Sequence, residues 1–459
     1  MPALTGQSGK HRLDQCKARS EAIRLAGGTI VKLATLLMSA SLFCCAFSPA
    51  TLAQSAAQPA YDLLLKNGHV IDPKNRIDKV TDIAVAGGHI ARVGDNIADT
   101  AAKKVIDLKG LYVTPGLIDI HTHLFPRLVL PPGSPPSEGV EPDTFSFRGG
   151  VTTMVDAGST GWKEFPEFKE RVIKPSKTRV LAFLNIVGAG MGTGNDDNIA
   201  EMTASEAARM AEANPGLIVG FKSAHYAGPG WESVDGAVAA GNQAHLPVMV
   251  DFGRITATRN INELFSHHLR PGDIFTHCFS GHREEALENG TLNPAMQDGR
   301  KRGIIFDLGF GSLSFFWYVA VPAYQAGFHP DSISSDLHKF NMNEGMKDMP
   351  NMMSEIMSLG SSLPEVVEMA TWAPAREIHH PELGTLDVGA EADIAVLSME
   401  TGHFRFTDSV GAAKDGTRRL TAELTLRKGE VVWDRNGLAA QDWQSFPYRK
   451  GPFFQTAGK

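Results

Sequence analysis

His121 and His123 stand two residues apart in the apolar run "GLIDIHTH". If that run is a strand, both imidazoles point to one face, and paired imidazoles on a rigid face form a clamp for a divalent metal. A lone His-x-His is a weak signal. It gains weight because other apolar runs end in residues of the same chemical kind. Lys222 ends the apolar run "GLIVGFK", Asp251 closes "LPVMVD", His277 sits in "DIFTHCFSG" and Asp336 in "DSISSDLH". Each has an ordinary alternative. Lys222 could snorkel outward or pair with an acid, His277 could be a hydrogen-bonded core histidine, and Asp336 could cap a helix. A buried lysine with a depressed pKa has other chemistry open to it: its amine adds carbon dioxide to give a carbamate, an anion able to bridge two metals.

The elements that would bring these groups together are legible in the spacing. Apolar runs recur at 116–123, 151–158, 179–188, 216–225, 246–253, 273–281, 303–311 and 331–338. Segments of helical composition, such as "EMTASEAARMAEAN" and "ESVDGAVAAGNQA", lie between them. Eight such runs alternating with helices predict an α/β fold, a (β/α)8 TIM barrel with a parallel sheet. In that architecture chemistry sits at the C-terminal ends of the strands. The polar residues at those ends are His121 and His123, Asp156, Asn185, Lys222, Asp251, His277, Asp307 and Asp336. After the eighth run, Ser362 and Glu365 form a capping box and Pro374 restarts the helix. Strand-and-turn texture before and after this middle predicts a small β-sandwich built from both chain ends, over 54–115 and 381–459, around a barrel at 116–380. The "KNG" and "AGG" pieces in its first half are expected as hairpin turns.

With 459 residues, 42% hydrophobic and 21% charged, the chain has the composition of an ordinary globular protein. A net charge of −7 without a basic run argues against a nucleic-acid partner. Residues 1–53 are expected to be a signal peptide: a basic leader, the apolar run "LATLLMSASLFCCAF", and Thr51 and Ala53 at cleavage-compatible positions. Export to the periplasm or the medium follows, with no membrane association after cleavage. Removing the six basic and two acidic residues of 1–53 from totals of 44 and 51 leaves 38 and 49, a net of −11. Of the four cysteines only Cys278 then remains, so no intrachain disulfide is expected. A small-molecule substrate is the expected partner, and assembly into a homo-oligomer is left open.

"PGLIDIHTH", the lysine of the fourth run, "THCFSG", "SSDLH" and "ATWAPAREI…LGTLDVGAEADIAVL" together resemble the amidohydrolase superfamily, in its deacetylase-like branch near dihydroorotase and D-aminoacylase. The resemblance extends over nearly all of the chain beyond residue 53. It implies two divalent metals, usually zinc, with His121 and His123 on one, His277 on the other, carboxylated Lys222 bridging them and Asp336 contacting the first. It implies further that a hydroxide held between the cations attacks a polarised carbonyl while Asp336 shuttles the proton as general acid/base. No "GxSxG" nucleophile elbow is present to suggest a serine mechanism.

The chain departs from that pattern at the fifth run, where most members of the family carry a histidine and this sequence has Asp251. An added carboxylate would take the formal charge of the cluster from about +1 to about 0, weakening its Lewis acidity. It would also make the second site harder and less selective for zinc, so manganese becomes possible. Three arrangements are open. Asp251 ligates directly; His225 supplies the missing imidazole with Asp251 as its acceptor; or the second metal is weak or absent. His338 and Arg127 are candidates for substrate binding, Arg127 in a lid running through "LFPRLVLPPGSPPSEG". "NIVGAGMGTGND" is expected as a loop over the barrel mouth, not a phosphate cradle. The expected activity is metal-dependent hydrolysis of an amide or ester in a small acyl-bearing molecule. The alternatives are a cyclic amide hydrolase, or a catalytically impaired ligand-binding barrel.

Overall fold

The computed structural model describes residues 59–127, 137–194 and 196–448. The expected signal peptide and most of the loop expected as a lid lie outside the described residues. No helix among the described residues is long and apolar enough to cross a membrane.

The first strands are β1 (Tyr61–Asp72), β2 (Ile77–Ala86), β3 (His89–Gly94), β4 (Ala102–Asp107) and β5 (Tyr112–Pro115). A parallel series follows: β6 (Leu117–Thr122), β7 (Val151–Gly161), β8 (Arg179–Asn185), β9 (Ile218–Ala224), β10 (Val248–Asp251), β11 (Ile274–Phe275) and β12 (Ile305–Phe306). The last three are β13 (Ile394–Thr407), β14 (Ala413–Arg427) and β15 (Glu430–Asp434).

Both chain ends enter one eight-stranded mixed sheet, in the order β15-β14-β13-β5-β1-β2-β3 with β4 on the first half of β1. The join is antiparallel, β13 on β5 from Ile394 opposite Pro115 to Leu397 opposite Tyr112. Alternate residues such as Leu63, Ile83, Ile106, Ile394 and Leu424 bury one face of it. "AGG" makes the expected turn between β2 and β3, with Gly87 and Gly88 at φ +56° and +81°, the positive pair a two-residue hairpin needs. "KNG" does not turn. Asn67, at φ +60°, lies inside β1 at a break in register between Leu65 and Gly68, which is a β-bulge.

The second sheet has seven parallel strands, β6 through β12 in sequence order. The eighth expected strand, 331–338, forms no ladder. It touches both edges through single parallel bridges, Ser332 with Asp307 and Leu337 with Thr122. The reason is chemical. Hydroxyls of Ser332 and Ser334 donate to Asp307, that of Ser335 donates to Asp119, and Asp336 turns the backbone at φ +51°. Side-chain bonds of this kind replace a regular ladder.

β11 and β12 hold only two residues each, and packed rings fix their position. Phe265 meets Phe275 and Phe306 edge-to-face at 5.0 and 5.5 Å, and Phe306 meets Phe328 at 5.0 Å. Each such contact contributes about 0.5–1.5 kcal/mol beyond burial. On one face of the parallel sheet Val155, Leu181, Phe183, Met249 and Ile274 pack with Ile378, at the end of the helix Trp372–Glu377. Two residues further along their strands stand Asn185, Asp251 and Thr276, on the same face by the two-residue period. The apolar layer is therefore the floor of the polar one. The expected helices form at Ala204–Glu212 and Glu232–Ala244, and the helix Leu363–Ala370 opens with the Ser362–Glu365 capping box.

The two sheets are tied by charge. Arg179 of β8 and Arg427 of β14 both bind Glu391 and Asp393, just before β13.

Candidate metal centre

His121 and His123 leave β6 buried, and each has one ring nitrogen tied back to the protein. His121 Nδ1 lies 2.9 Å from Thr276 Oγ1, whose own proton goes to Asp307 Oδ2 at 2.7 Å. Thr276 therefore accepts from His121 Nδ1–H, and the lone pair of His121 sits on Nε2. Burial, then the nearby Lys222, pushes the His121 pKa down to about 3, so the ring is neutral. His123 Nδ1 lies 3.1 Å from Ser159 Oγ, and its Nε2 stands 2.9 Å from Asp336 Oδ1. His121 Nε2 is 3.3 Å from the same oxygen. Among the described residues, His121, His123 and Asp336 are the group whose ligand atoms all fall within 4.8 Å of one another. Burial opposes charge on Asp336, but the two histidines outweigh it and hold the carboxyl well below the usual range.

A second group stands beside the first, with the His121 and His277 ring centroids 4.9 Å apart. His277 Nδ1–H donates to the Gly309 carbonyl at 2.6 Å, and its Nε2 lies 3.3 Å from Asp251 Oδ2. His225 Nε2 reaches the same oxygen at 2.9 Å, with its side chain 54% exposed. The other oxygen, Asp251 Oδ1, receives Arg283 through Nε at 3.1 Å and through Nη2. Burial raises the Asp251 pKa, yet Arg283, His277 and His225 together draw it well below the carboxylate range. Between the groups Lys222 Nζ lies 3.0 Å from His121 Nε2, fully buried, its pKa lowered by desolvation. Gly158, at φ +91°, leaves room for that side chain; a Cβ there would come within 2.7 Å of Lys222 Cγ.

Strain collects at these strand ends. His225, His277 and Asp336 all occupy left-handed backbone, at φ +54°, +62° and +51°. Residues other than glycine rarely do so outside sites where the conformation aims a side chain. They open onto a cavity of about 280 Å³ also lined by His123, Asp251 and His338. His338 rests against His123 with ring centroids 6.1 Å apart, and burial lowers its pKa.

Arg127 is not on that cavity. Its guanidinium donates to Glu164 and to the carbonyls of Ser159, Ala189 and Met191, so its donors brace three loops to one another and do not face a substrate. Asp156 and Asn185, the other strand-end polar residues, likewise hold loop backbone. Asp156 accepts from Leu124 N and Ser159 N, and Asn185 accepts from Val187 N. Sequence reasoning overlooked Arg283 and Thr276, and noted Asp307 only as a strand end. Thr276 directly precedes His277 and carries the hydroxyl that sets a histidine tautomer, which was the available signal. Nothing in "SGHREE" distinguishes Arg283 from a surface arginine.

The donor set fits a divalent cation. Two imidazole lone pairs and a carboxylate oxygen converge in a buried space, each histidine with its far nitrogen hydrogen-bonded, as metal-ligating histidines are. No protein-family model matches the chain. Over 344 residues it is 33% identical to a deacetylase of Agrobacterium fabrum, covering 72% of this chain and 81% of that one. It superposes on the crystal structure of an adenine deaminase with TM-score 0.73 at 28% identity, over 82% of this chain and 100% of that one. A dihydroorotase structure superposes with TM-score 0.70 at 28% identity, over 81% and 99%. An α/β protein with this His/His/Asp group at its parallel strand ends is a metal-dependent hydrolase. The chain belongs to the amidohydrolase superfamily.

Proposed function

We propose that the chain is a deacetylase-type amidohydrolase that cleaves the amide, or an ester, of a small acyl-bearing substrate. The observation that carries this is the convergence of His121, His123 and Asp336, of which His123 and Asp336 line a cavity of about 280 Å³, a size for a small molecule. In this reading His121, His123 and Asp336 hold one divalent metal, zinc in the first instance. His277 and Asp251 hold a second, with His225 steadying Asp251. Lys222 would supply a carbamate between them, its amine adding to carbon dioxide with loss of one proton to solvent; burial, which favours the uncharged amine, supports that reading. The carboxylate in the second site also makes manganese an acceptable metal.

Bound metal would supply Lewis acidity to the scissile carbonyl and lower the pKa of water. Asp336 takes the proton of the attacking water and delivers it to the departing nitrogen or oxygen. His121 and His123 stay fixed by Thr276 and Ser159. His338 lines the entrance and contacts substrate, while Arg127 keeps the surrounding loops in place. Segment 331–338 serves as the eighth strand, closing a (β/α)8 barrel over 116–380. The two chain ends form the accompanying β-domain, and residues 1–53 direct export.

A cyclic amide hydrolase is the second reading, favoured by the superposition on the dihydroorotase structure. The test is elemental analysis of protein expressed with bicarbonate and zinc or manganese, alongside assays on N-acyl amino acids, esters and cyclic ureides. Turnover of an acyl substrate that a chelator abolishes is expected. Turnover restricted to cyclic ureides selects the second reading, and protein with neither metal nor turnover overturns both.

A further inference from the structure

Asp251 does not stand alone in the slot where relatives are expected to carry histidine. A neutral histidine ligand brings one donor atom, no net charge, and a far-side N–H tied to an acceptor. A bare aspartate brings a negative charge and two oxygens. Arg283 removes both differences. Its guanidinium occupies Asp251 Oδ1 through Nε at 3.1 Å and through Nη2, leaving Oδ2 as the oxygen turned toward His277 Nε2 at 3.3 Å, where the half-exposed His225 Nε2 also reaches it at 2.9 Å. Both partners are withdrawn from solvent, with side chains 3% and 12% exposed.

The arginine is placed there by its own loop. Buried Glu285 accepts from Arg283 N at 2.9 Å with one oxygen and from Ser280 N and Oγ with the other. Glu284, between them, sits in left-handed backbone at φ +62°. A carboxylate devoted to holding the arginine's backbone is what a fixed ligand support requires.

We propose that Asp251 and Arg283 act as one electroneutral unit that replaces a histidine ligand at the second metal position, with Arg283 as its positioning residue. This rests on the two-metal reading above. It restores the charge of the cluster: the bare carboxylate would bring it to about 0, and the paired guanidinium returns it to about +1. It also explains how an acidic ligand is kept from folding both oxygens onto one cation, since Oδ1 is already taken.

The test uses full-length protein loaded with zinc and bicarbonate. It reads metal per chain by elemental analysis, and the affinity of the second equivalent by competition with a chromogenic chelator. Wild type is expected to hold two metals. Arg283→Met is expected to weaken the second equivalent by about 10–100-fold, the usual cost of losing a residue that supports a ligand. Asp251→His alone leaves the guanidinium unpaired beside a cation and is expected to weaken it too. Asp251→His with Arg283→Met rebuilds a neutral site and is expected to recover wild-type affinity. Should Arg283→Met fail to fold, this double variant, with no unpaired charge, carries the test.

Second-metal affinity in Arg283→Met equal to or tighter than wild type overturns the inference, as does a double variant no better than Asp251→His. Wild type that holds a single metal overturns the inference alone. Wild type that takes up none overturns the hydrolase reading together with it.

Discussion

The two halves of the site are built on different principles. Around His121, His123 and Asp336 the candidate ligand atoms face one another directly, and the support reaches the histidines through hydroxyls, Thr276 backed by the buried Asp307 and Ser159 beside His123. Around Asp251 the support is charged, with a buried guanidinium on one oxygen and a half-exposed imidazole on the other. A hydroxyl relay fixes tautomer and direction while keeping the carboxylate behind it one group away from the ligand. A charged support also sets the electrostatic balance, so its removal changes which cation is favoured as well as how tightly it is held.

Breaking the first half should cost most. Asp336→Asn removes both a ligand and the proton carrier, and kcat is expected to fall by about 10²–10⁴-fold; a variant within a few-fold of wild type in a steady-state assay would remove Asp336 from the proton path. Thr276→Val deletes the acceptor of His121 Nδ1–H while keeping the shape of the side chain. First-metal affinity should drop by about 10–100-fold with secondary structure unchanged by circular dichroism. Gly158→Ala tests the residue between the halves. Its Cβ would press on Lys222, and positive φ adds strain, so a destabilisation of about 1–3 kcal/mol in chemical denaturation is expected, with loss of the second metal before the first. His225→Ala should do least. The side chain is 54% exposed and Arg283 still holds Asp251, so second-metal affinity should shift by no more than about 5-fold, the scale of an exposed ion pair. A larger loss would promote His225 from support to ligand.

Much of this was readable from residue order alone, and the limit has a physical cause. Strand ends announce themselves because apolar alternation stops at a polar residue, and Lys222, Asp251 and His277 are legible as strand-end candidates on that ground. The same logic holds only in part for 331–338, which bridges both sheet edges but spends its serine hydroxyls on Asp307 and Asp119 and so makes single bridges in place of a ladder. It also misplaced "KNG", because a bulge and a turn both require a residue at positive φ, and only strand pairing tells them apart. Arg127 and Arg283 show the harder limit. Both lie in loops, where nothing periodic constrains direction. One was expected on the substrate and braces loops instead; the other was overlooked and grips the acid in question. The reach of a long side chain depends on tertiary neighbours that sequence spacing does not encode.

The antiparallel join between β5 and β13 carries a consequence for biogenesis. Almost 280 residues separate Pro115 from Ile394, so the inner edge of the N-terminal strands stays unpaired until the last part of the chain has been made. An open apolar edge of that kind recruits other strands. The acidic pair Glu391 and Asp393, just ahead of β13, pairs with Arg179 on β8, so charge as well as backbone pairing holds the late strand in its place. Shortening the chain before residue 394 would thus leave the parallel sheet with every candidate ligand present, beside an exposed edge free to aggregate.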